Sequence, residues 1–257
     1  MVVCVTAAAV GVLAWLLLRG LRPEDKTWDR IRETGVLRVC TDPSWLPFES
    51  VDANTGQVKG LDADLARLLA PRLAPGVQAE FVVVGFDSLY DALTASRCDA
   101  VLSALPYEAA RTRDVSYSIA YFNAGPVIVT RESAAAIDAV ENLEGRAVGV
   151  EWGFVPEGDT EERLLLQRLG LRRYDTTGDA LRAVHSGEVD AALVDRISAL
   201  SYLHQCDGLR IAGEPIVDVS YCIPVRPDSI LLLEEINRVL VEMREDGTLD
   251  RLQETWF

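Results

Sequence analysis

Short apolar runs alternate with stretches in which apolar residues recur at helical spacing, and the alternation holds along most of the chain. Val36-Leu37-Arg38-Val39-Cys40, bounded by Gly35 and Pro43, reads as a buried strand, with a short helix just before it at residues 28–33. Leu61, Leu65, Leu68 and Leu69 recur at helical spacing, and Pro71 ends or kinks that helix. Residues 80–84 and 100–102 predict two further strands, separated by a helix at 89–95. The order then restarts, with a strand at 147–150, helices at 161–169 and 180–185, and a strand at 191–194. Near the end, Leu232, Leu233, Ile236, Val239, Leu240 and Met243 share one face of an amphipathic helix over 230–243; Gly247 is its expected C-cap, and a last short helix covers 249–256. Strands alternating with helices predict parallel sheets with helices on both faces.

The restart carries a sequence echo. Residues 88–102 (SLYDALTASRCDAVL) align without gaps to 179–193 (DALRAVHSGEVDAAL). Both read as a helix, a short turn, then Asp-Ala and a buried strand, which predicts two lobes built on one plan.

Composition narrows the function classes. The chain has 257 residues, 49% hydrophobic, enough for one large core or two small ones. A net charge of -15 repels phosphate backbones and argues against nucleic acid as a partner. The cysteines are Cys4, Cys40, Cys98, Cys206 and Cys222; none forms a CxxC and no histidine stands at metal-ligand spacing, so neither a metal nor a cofactor is expected. Cys206 and Cys222 are either a pair, in an oxidising compartment, or two buried thiols. His185 and His204 fall in helical stretches with no second ligand beside them and read as structural or surface residues.

The apolar, uncharged run at 2–18 falls just short of the ~20 residues of a membrane span. It also suits the core of a signal peptide. No small-x-small site follows and no lipobox surrounds Cys4, which favours an uncleaved signal anchor within 1–22 over a cleaved signal peptide. Arg19, Arg22 and Lys26 follow the run, and the positive-inside tendency pulls the other way.

From residue 35 to 257 the chain resembles the bacterial extracellular solute-binding proteins of family 3, the amino-acid ABC-transporter type. Gly35-Val36-Leu37-Arg38-Val39 opens the match and Pro47-Phe48 follows the first strand. Gly60-Leu61-Asp62-Ala63-Asp64-Leu65 is similar to the family's Gly-Phe-Asp-x-Asp-Leu. Cys98-Asp99-Ala100-Val101-Leu102-Ser103, Arg111 and Tyr117-Ser118 resemble the run that carries its ligand-gripping arginine. Val148-Gly149-Val150, Asp190-Ala191-Ala192-Leu193-Val194-Asp195 and Asp246-Gly247-Thr248-Leu249 complete the ordered set.

The resemblance implies an α/β, two-lobed periplasmic-binding-protein-like fold of type II, each lobe a mostly parallel sheet flanked by helices. Lobe one would hold 28–122 plus 225–257, lobe two 127–220, and 123–126 and 221–224 would be hinges. Ligand would bind in the cleft at the carboxyl ends of the strands. Arg111 would grip a carboxylate as a planar fork, and Asp195 would accept an ammonium. Trp45 and Phe48 would cover the ligand, Asp42 would hold its distal end, and Ser103 would offer a hydroxyl. Glu151, Trp152 and Phe154 would face it from lobe two. Three departures weaken the carboxylate grip: Ala104 and Pro106 stand where the family has serines, and Val155 where it has a threonine. The acids Asp42, Glu151 and Asp195 with the aromatic residues suit a cationic ligand.

The function implied is the substrate-binding component of an ABC-type uptake transporter for an amino acid or related small polar or cationic solute. It would be extracytoplasmic, membrane-anchored or secreted, monomeric, with an ABC permease as partner and no catalytic residue. A ligand-sensing receptor module and a cyclohexadienyl dehydratase-like enzyme are the alternatives; for the latter Glu151 is the one acid or base to propose, without a motif behind it.

Overall fold

The computed structural model describes residues 24–134, 136–154 and 169–257. The apolar run at 2–18, Val155 and all but the last residue of the helix expected at 161–169 lie outside the described residues.

The first helix, α1 (Lys26–Thr34), begins where the Asp25 side chain accepts the Trp28 amide and ends at Gly35, whose left-handed φ of 72° closes the turn onto Ile31. Then come β1 (Val36–Thr41) and a small antiparallel sheet of β2 (Ser44–Trp45), β3 (Glu49–Val51) and β4 (Val58–Lys59). Helix α2 (Leu61–Leu73) takes Pro71 into its last turn. After it come β5 (Gln78–Val83), α3 (Leu89–Thr94), β6 (Ala100–Val101) and β7 (Ser116–Tyr117). The chain crosses over through β8 (Phe122–Asn123) to β9 (Val127–Arg131), β10 (Ala147–Glu151), β11 (Gly170–Tyr174), α4 (Thr177–Ser186), β12 (Ala191–Val194), α5 (Arg196–Leu203) and β13 (Leu209–Ala212). It returns through β14 (Ser220–Tyr221) to β15 (Pro224–Val225), α6 (Ile230–Glu245) and α7 (Thr248–Trp256).

Two five-stranded sheets result, ordered β5-β1-β6-β15-β7 and β11-β10-β12-β9-β13. Each is parallel over its first three strands and antiparallel beyond. Each also has a core on both faces, because side chains alternate along a strand. In β1, Leu37 and Val39 pack against α2, α6 and α7, while Cys40 joins Leu89, Leu93 and Val101 on the other face. In β12, Ala191 and Leu193 take one face and Ala192 and Val194 the other.

The sequence echo corresponds to one repeated set of bonds. In the first sheet Asp99 Oδ2 accepts the Arg38 amide at 2.9 Å, and the Asp99 amide donates to the Arg38 carbonyl at 2.8 Å. In the second, Asp190 Oδ2 accepts the Ala147 amide at 3.0 Å, and its own amide donates to the Ala147 carbonyl at 2.8 Å. An arginine completes each set from the antiparallel neighbour. Arg226 Nη1 donates to the carbonyls of Leu93 and Cys98; Arg131 Nη1 donates to those of Val184 and Val189, the aligned positions.

Of the two alternatives for Cys206 and Cys222, the structure has the free thiols. Among the described residues Cys40 and Cys98 form a disulfide that the sequence did not suggest, between the end of β1 and the turn before β6. Cys206 follows α5 in the second body and Cys222 follows β14 at the crossing, so they belong to different parts of the fold.

The crossing is a two-stranded antiparallel ribbon, Phe122–Asn123 with Ser220–Tyr221. The return strand expected at 221–224 is already joining the first sheet at Pro224. Gly125 passes so close to the other segment that a Cβ there would sit 1.8 Å from the Val217 carbonyl oxygen. The ribbon adjoins the carboxyl ends of both sheets. After β6, Pro106 bridges to Tyr221 and the Tyr107 amide donates to Ser220. In the second sheet the last residue of β12, Val194, is level with Val127, the first residue of β9 and four past the ribbon strand. The strand ends that would carry a ligand site therefore flank one ribbon.

Candidate functional site

Asp42 follows β1 directly. Its amide donates to Ser103 Oγ at 3.0 Å, and its Oδ2 accepts the Phe86 amide at 2.8 Å. That second bond fixes the single helical turn at Phe86–Ser88, which leads into α3. It stands Phe86 beside Asp42 with 49% of its surface exposed. Trp45 is 44% exposed and lies 5.5 Å from Phe48 and 6.5 Å from Tyr221, centroid to centroid. Two aromatic rings and a carboxylate thus mark the end of β1.

Phe48 and Ser103 stand behind this surface, not on it. Phe48 is 0% exposed, ringed by Phe122, Tyr221 and Phe257 at 5.3–5.5 Å. It supports Trp45 and joins it to the two ribbon strands. Ser103 is also buried, and its hydroxyl is already spent: it accepts from the Asp42 amide and donates to Glu49 Oε1 at 2.8 Å. Both residues lie beneath the exposed surface formed by Asp42, Trp45 and Phe86.

Beneath them lie two buried carboxyls. Asp62, in the first turn of α2, accepts the Ala104 amide at 2.6 Å and the Tyr121 hydroxyl at 3.0 Å through Oδ2. Ala104 sits at φ 45°, a left-handed conformation that costs a non-glycine residue about 1–3 kcal/mol, and the Asp62 bond holds it there. Burial, then the Asp62 charge, pushes the Glu49 carboxyl up to about 9. Burial also raises Asp62, to about 7, against the bonds from Ala104 and Tyr121. The Ala104 amide is therefore turned away from a ligand carboxylate, and Pro106 has no N–H to give.

Arg111 ends a short helical turn at Ala109–Arg111. Its guanidinium lies 4.2 Å from the Tyr90 ring centre, and its Nε donates to Glu108 Oε2 at 3.0 Å. The Tyr90 hydroxyl meets that of Tyr117 at 2.9 Å. One edge of the fork is held by the protein's own carboxylate, and the side chain is about half exposed.

On the second sheet, Asp195 follows β12 and caps α5, accepting the Ser198 amide at 2.8 Å through Oδ1. Glu151 ends β10, where its Oε2 accepts the Thr177 amide at 3.1 Å and the Thr177 hydroxyl as well. The Glu151 carboxylate thus anchors the start of α4. Trp152 is 63% exposed with Arg173 stacked 5.5 Å from its ring. Phe154 is partly buried against the core formed by Ile128, Val150 and Leu193, which commits much of its ring to the lobe.

Asp42, Phe86, Glu151 and Asp195 all follow or end parallel strands at their carboxyl ends, β1 and β5 in one sheet, β10 and β12 in the other. Sequence reasoning missed Phe86, Glu108 and Tyr90, and the buried acids Glu49 and Asp62. Phe86 had a signal, an aromatic residue just past a strand end; the pairing of Glu49 with Asp62 had none, because it depends on the fold. Among the described residues no cluster of His, Cys, Asp and Glu could hold a metal ion. A cavity of about 700 Å³ runs along α4, lined by Arg173, Tyr174, Asp179, Arg182, His185 and Cys206. Within it Arg182 is paired with Asp179, and the Tyr174 hydroxyl donates to Glu188.

Comparison with known proteins gives this arrangement its relatives. The family model of bacterial extracellular solute-binding proteins, family 3, matches residues 37–257. The L-cystine-binding protein TcyJ of Escherichia coli (strain K12) is 28% identical, over 97% of this chain and 94% of its own length. The lysine/arginine/ornithine-binding periplasmic protein of the same strain is 28% identical, over 96% of each. Among solved structures, an ancestral cyclohexadienyl dehydratase is 26% identical, with TM-score 0.77 over 93% of this chain and 98% of that one.

Proposed function

The chain belongs to the bacterial extracellular solute-binding proteins, family 3, and on that premise we propose that it captures an amino acid between its two sheets and delivers it to an ABC permease. What supports the reading is opposite charge and aromatic surface near strand ends that flank one ribbon. Asp42, Trp45 and Phe86 follow β1 and β5 of the first sheet, with Arg111 in the turn between β6 and β7, and Asp195 and Trp152 follow β12 and β10 of the second. A zwitterion needs a fixed cation for its carboxylate and an anion for its ammonium, and Arg111 and Asp195 supply them from opposite lobes. The protein does no chemistry; ligand draws the lobes together, and the closed form is what the permease reads.

The acids Asp42 and Asp195 beside exposed indoles favour a basic side chain. The carboxylate grip leans on Arg111, because Ala104 offers its amide to Asp62 and Pro106 has none. An extracytoplasmic location agrees with the Cys40–Cys98 disulfide, since such bonds persist in oxidising compartments. Attachment through residues 1–22 and a monomeric state complete the reading. A second reading, catalysis, is raised by the dehydratase among the structural neighbours. Against it stands Glu151, whose carboxylate already holds Thr177.

Isothermal titration of the full chain with L-arginine, L-lysine, L-histidine and L-cystine tests the proposal. One of them should bind, and Arg111→Ala and Asp195→Asn should each weaken that binding at least tenfold; the asparagine keeps the α5 cap and removes only the charge. Binding that survives both changes would put the site elsewhere. Turnover of prephenate or arogenate without amino-acid binding would replace transport with catalysis.

A further inference from the structure

Glu49 and Asp62 are both almost wholly buried. One oxygen of each is engaged, Glu49 Oε1 by the Ser103 hydroxyl and Asp62 Oδ2 by the Ala104 amide and the Tyr121 hydroxyl. Their other oxygens, Glu49 Oε2 and Asp62 Oδ1, are buried and have no other partner. The Asp62 amide donates at 3.0 Å to the carbonyl of Phe48, the residue before Glu49, and the acids' own partners, Ser103 and Ala104, are adjacent in the chain, so the two carboxyls share one buried pocket. Two ionised carboxylates facing one another in a dry interior repel strongly, whereas one proton between them turns the repulsion into a bond.

We propose that Glu49 and Asp62 share a single proton in an Oε2···Oδ1 hydrogen bond, and that this bond positions the first-lobe half of the ligand site. Its reach explains the second part, which rests on the ligand-binding reading above. Through Ser103, Glu49 holds the Asp42 amide; through Oδ2, Asp62 holds Ala104 in its left-handed turn. Through Tyr121, whose hydroxyl donates to Asp62 and whose amide donates to the Tyr221 carbonyl at 3.0 Å, the pair is also tied to the crossing ribbon. Among the described residues the titratable groups set against it are an acid and two phenols: Asp42 from the loop after β1, Tyr121 from the chain before β8, and Tyr221 from β14. A cation, Arg196 of α5, packs on the same aromatic cluster, 5.3 Å from the Phe122 ring.

Burial raises both acids, Glu49 from 4.5 to about 9. The folded chain therefore keeps a proton that the unfolded chain releases. Stability from the pair is complete below the ordinary carboxylate range and is lost as pH rises through that range towards about 9.

The test is urea denaturation of the full chain across that window, on the wild type, Glu49→Gln, Asp62→Asn and the double variant. The wild-type folding constant should fall with rising pH, by up to about tenfold per pH unit for one retained proton. Either amide supplies the bridging hydrogen permanently, so each single variant should flatten that fall. In the double variant two amino groups face each other, and the loss should exceed the sum of the single losses by about tenfold or more. The positioning role is read from Trp45 fluorescence, as the difference between each protein and its Trp45→Phe version. It should shift over the same pH range in the wild type and hold steady in Glu49→Gln. An unchanged pH slope in both single variants, or an additive double variant, would overturn the shared proton. A pH-independent Trp45 signal in the wild type would overturn the positioning. No ligand enters these measurements, so failure to bind any amino acid would count against the transport reading alone.

Discussion

Ala104 holds a conformation that suits glycine, and it does so where the chain turns from β6 towards the hinge. Replacing it with glycine removes the Cβ strain while keeping the amide that Asp62 accepts. Ala104→Gly should therefore stabilise the fold by about 1 kcal/mol in urea denaturation; a loss of that size would mean that the methyl group's packing outweighs the strain. At this scale the sequence was a fair guide to strand-end residues and a poor one to depth. The placement of Asp42 and Asp195 just past strands, and of Trp45 and Arg111 in the loops beyond β1 and β6, was legible because each follows a recognisable strand or motif. Phe48 and Ser103 were expected to touch ligand and are buried, since position in a motif does not say which way a side chain points. Glu49 was not singled out: a lone acid after a phenylalanine reads as surface until the fold brings Asp62 to it.

Among the elements, alternating apolar runs placed the parallel strands β1, β5, β6, β10 and β12 and most helices to within a few residues, while β11, also parallel, went unread. The antiparallel strands β9 and β13 went unread because short apolar segments without helical partners carry no distinctive period. The repeated Asp-Ala strand was legible as an echo, but its arginine was not, because Arg226 and Arg131 come from strands that join the two halves from outside the repeat. Arg226 is the more buried of the two and also approaches Asp99, which has no exposed surface. Arg226→Ala should cost about 2–3 kcal/mol and Arg131→Ala less, in the same denaturation assay. Equal small losses would show that the carbonyls find water instead. The disulfide spans 58 residues and was invisible without the β1–β6 pairing that brings Cys40 near Cys98. Its reduction should lower stability by about 4 kcal/mol on the chain-entropy account.

At the level of the whole molecule, two similar bodies meet at a ribbon that adjoins the working ends of both sheets. Phe48, Phe122, Tyr221 and Phe257 form one aromatic cluster under Trp45, so the exposed surface past β1 is built on the crossing ribbon itself. Gly125 lets the two crossing segments touch, and Gly125→Ala would drive a methyl group into the Val217 carbonyl. That change should weaken ligand binding although Gly125 is far along the chain from every proposed contact; unaltered affinity would mean the ribbon gives way freely. The central claim is that ligand is held by both lobes at once. Small-angle X-ray scattering of the full chain, without ligand and saturated with the amino acid that titration identifies, tests it most directly. The radius of gyration should fall on saturation, and the fall should vanish in Asp195→Asn at a concentration that saturates the wild type. Saturating binding with no change in the radius of gyration would contradict it.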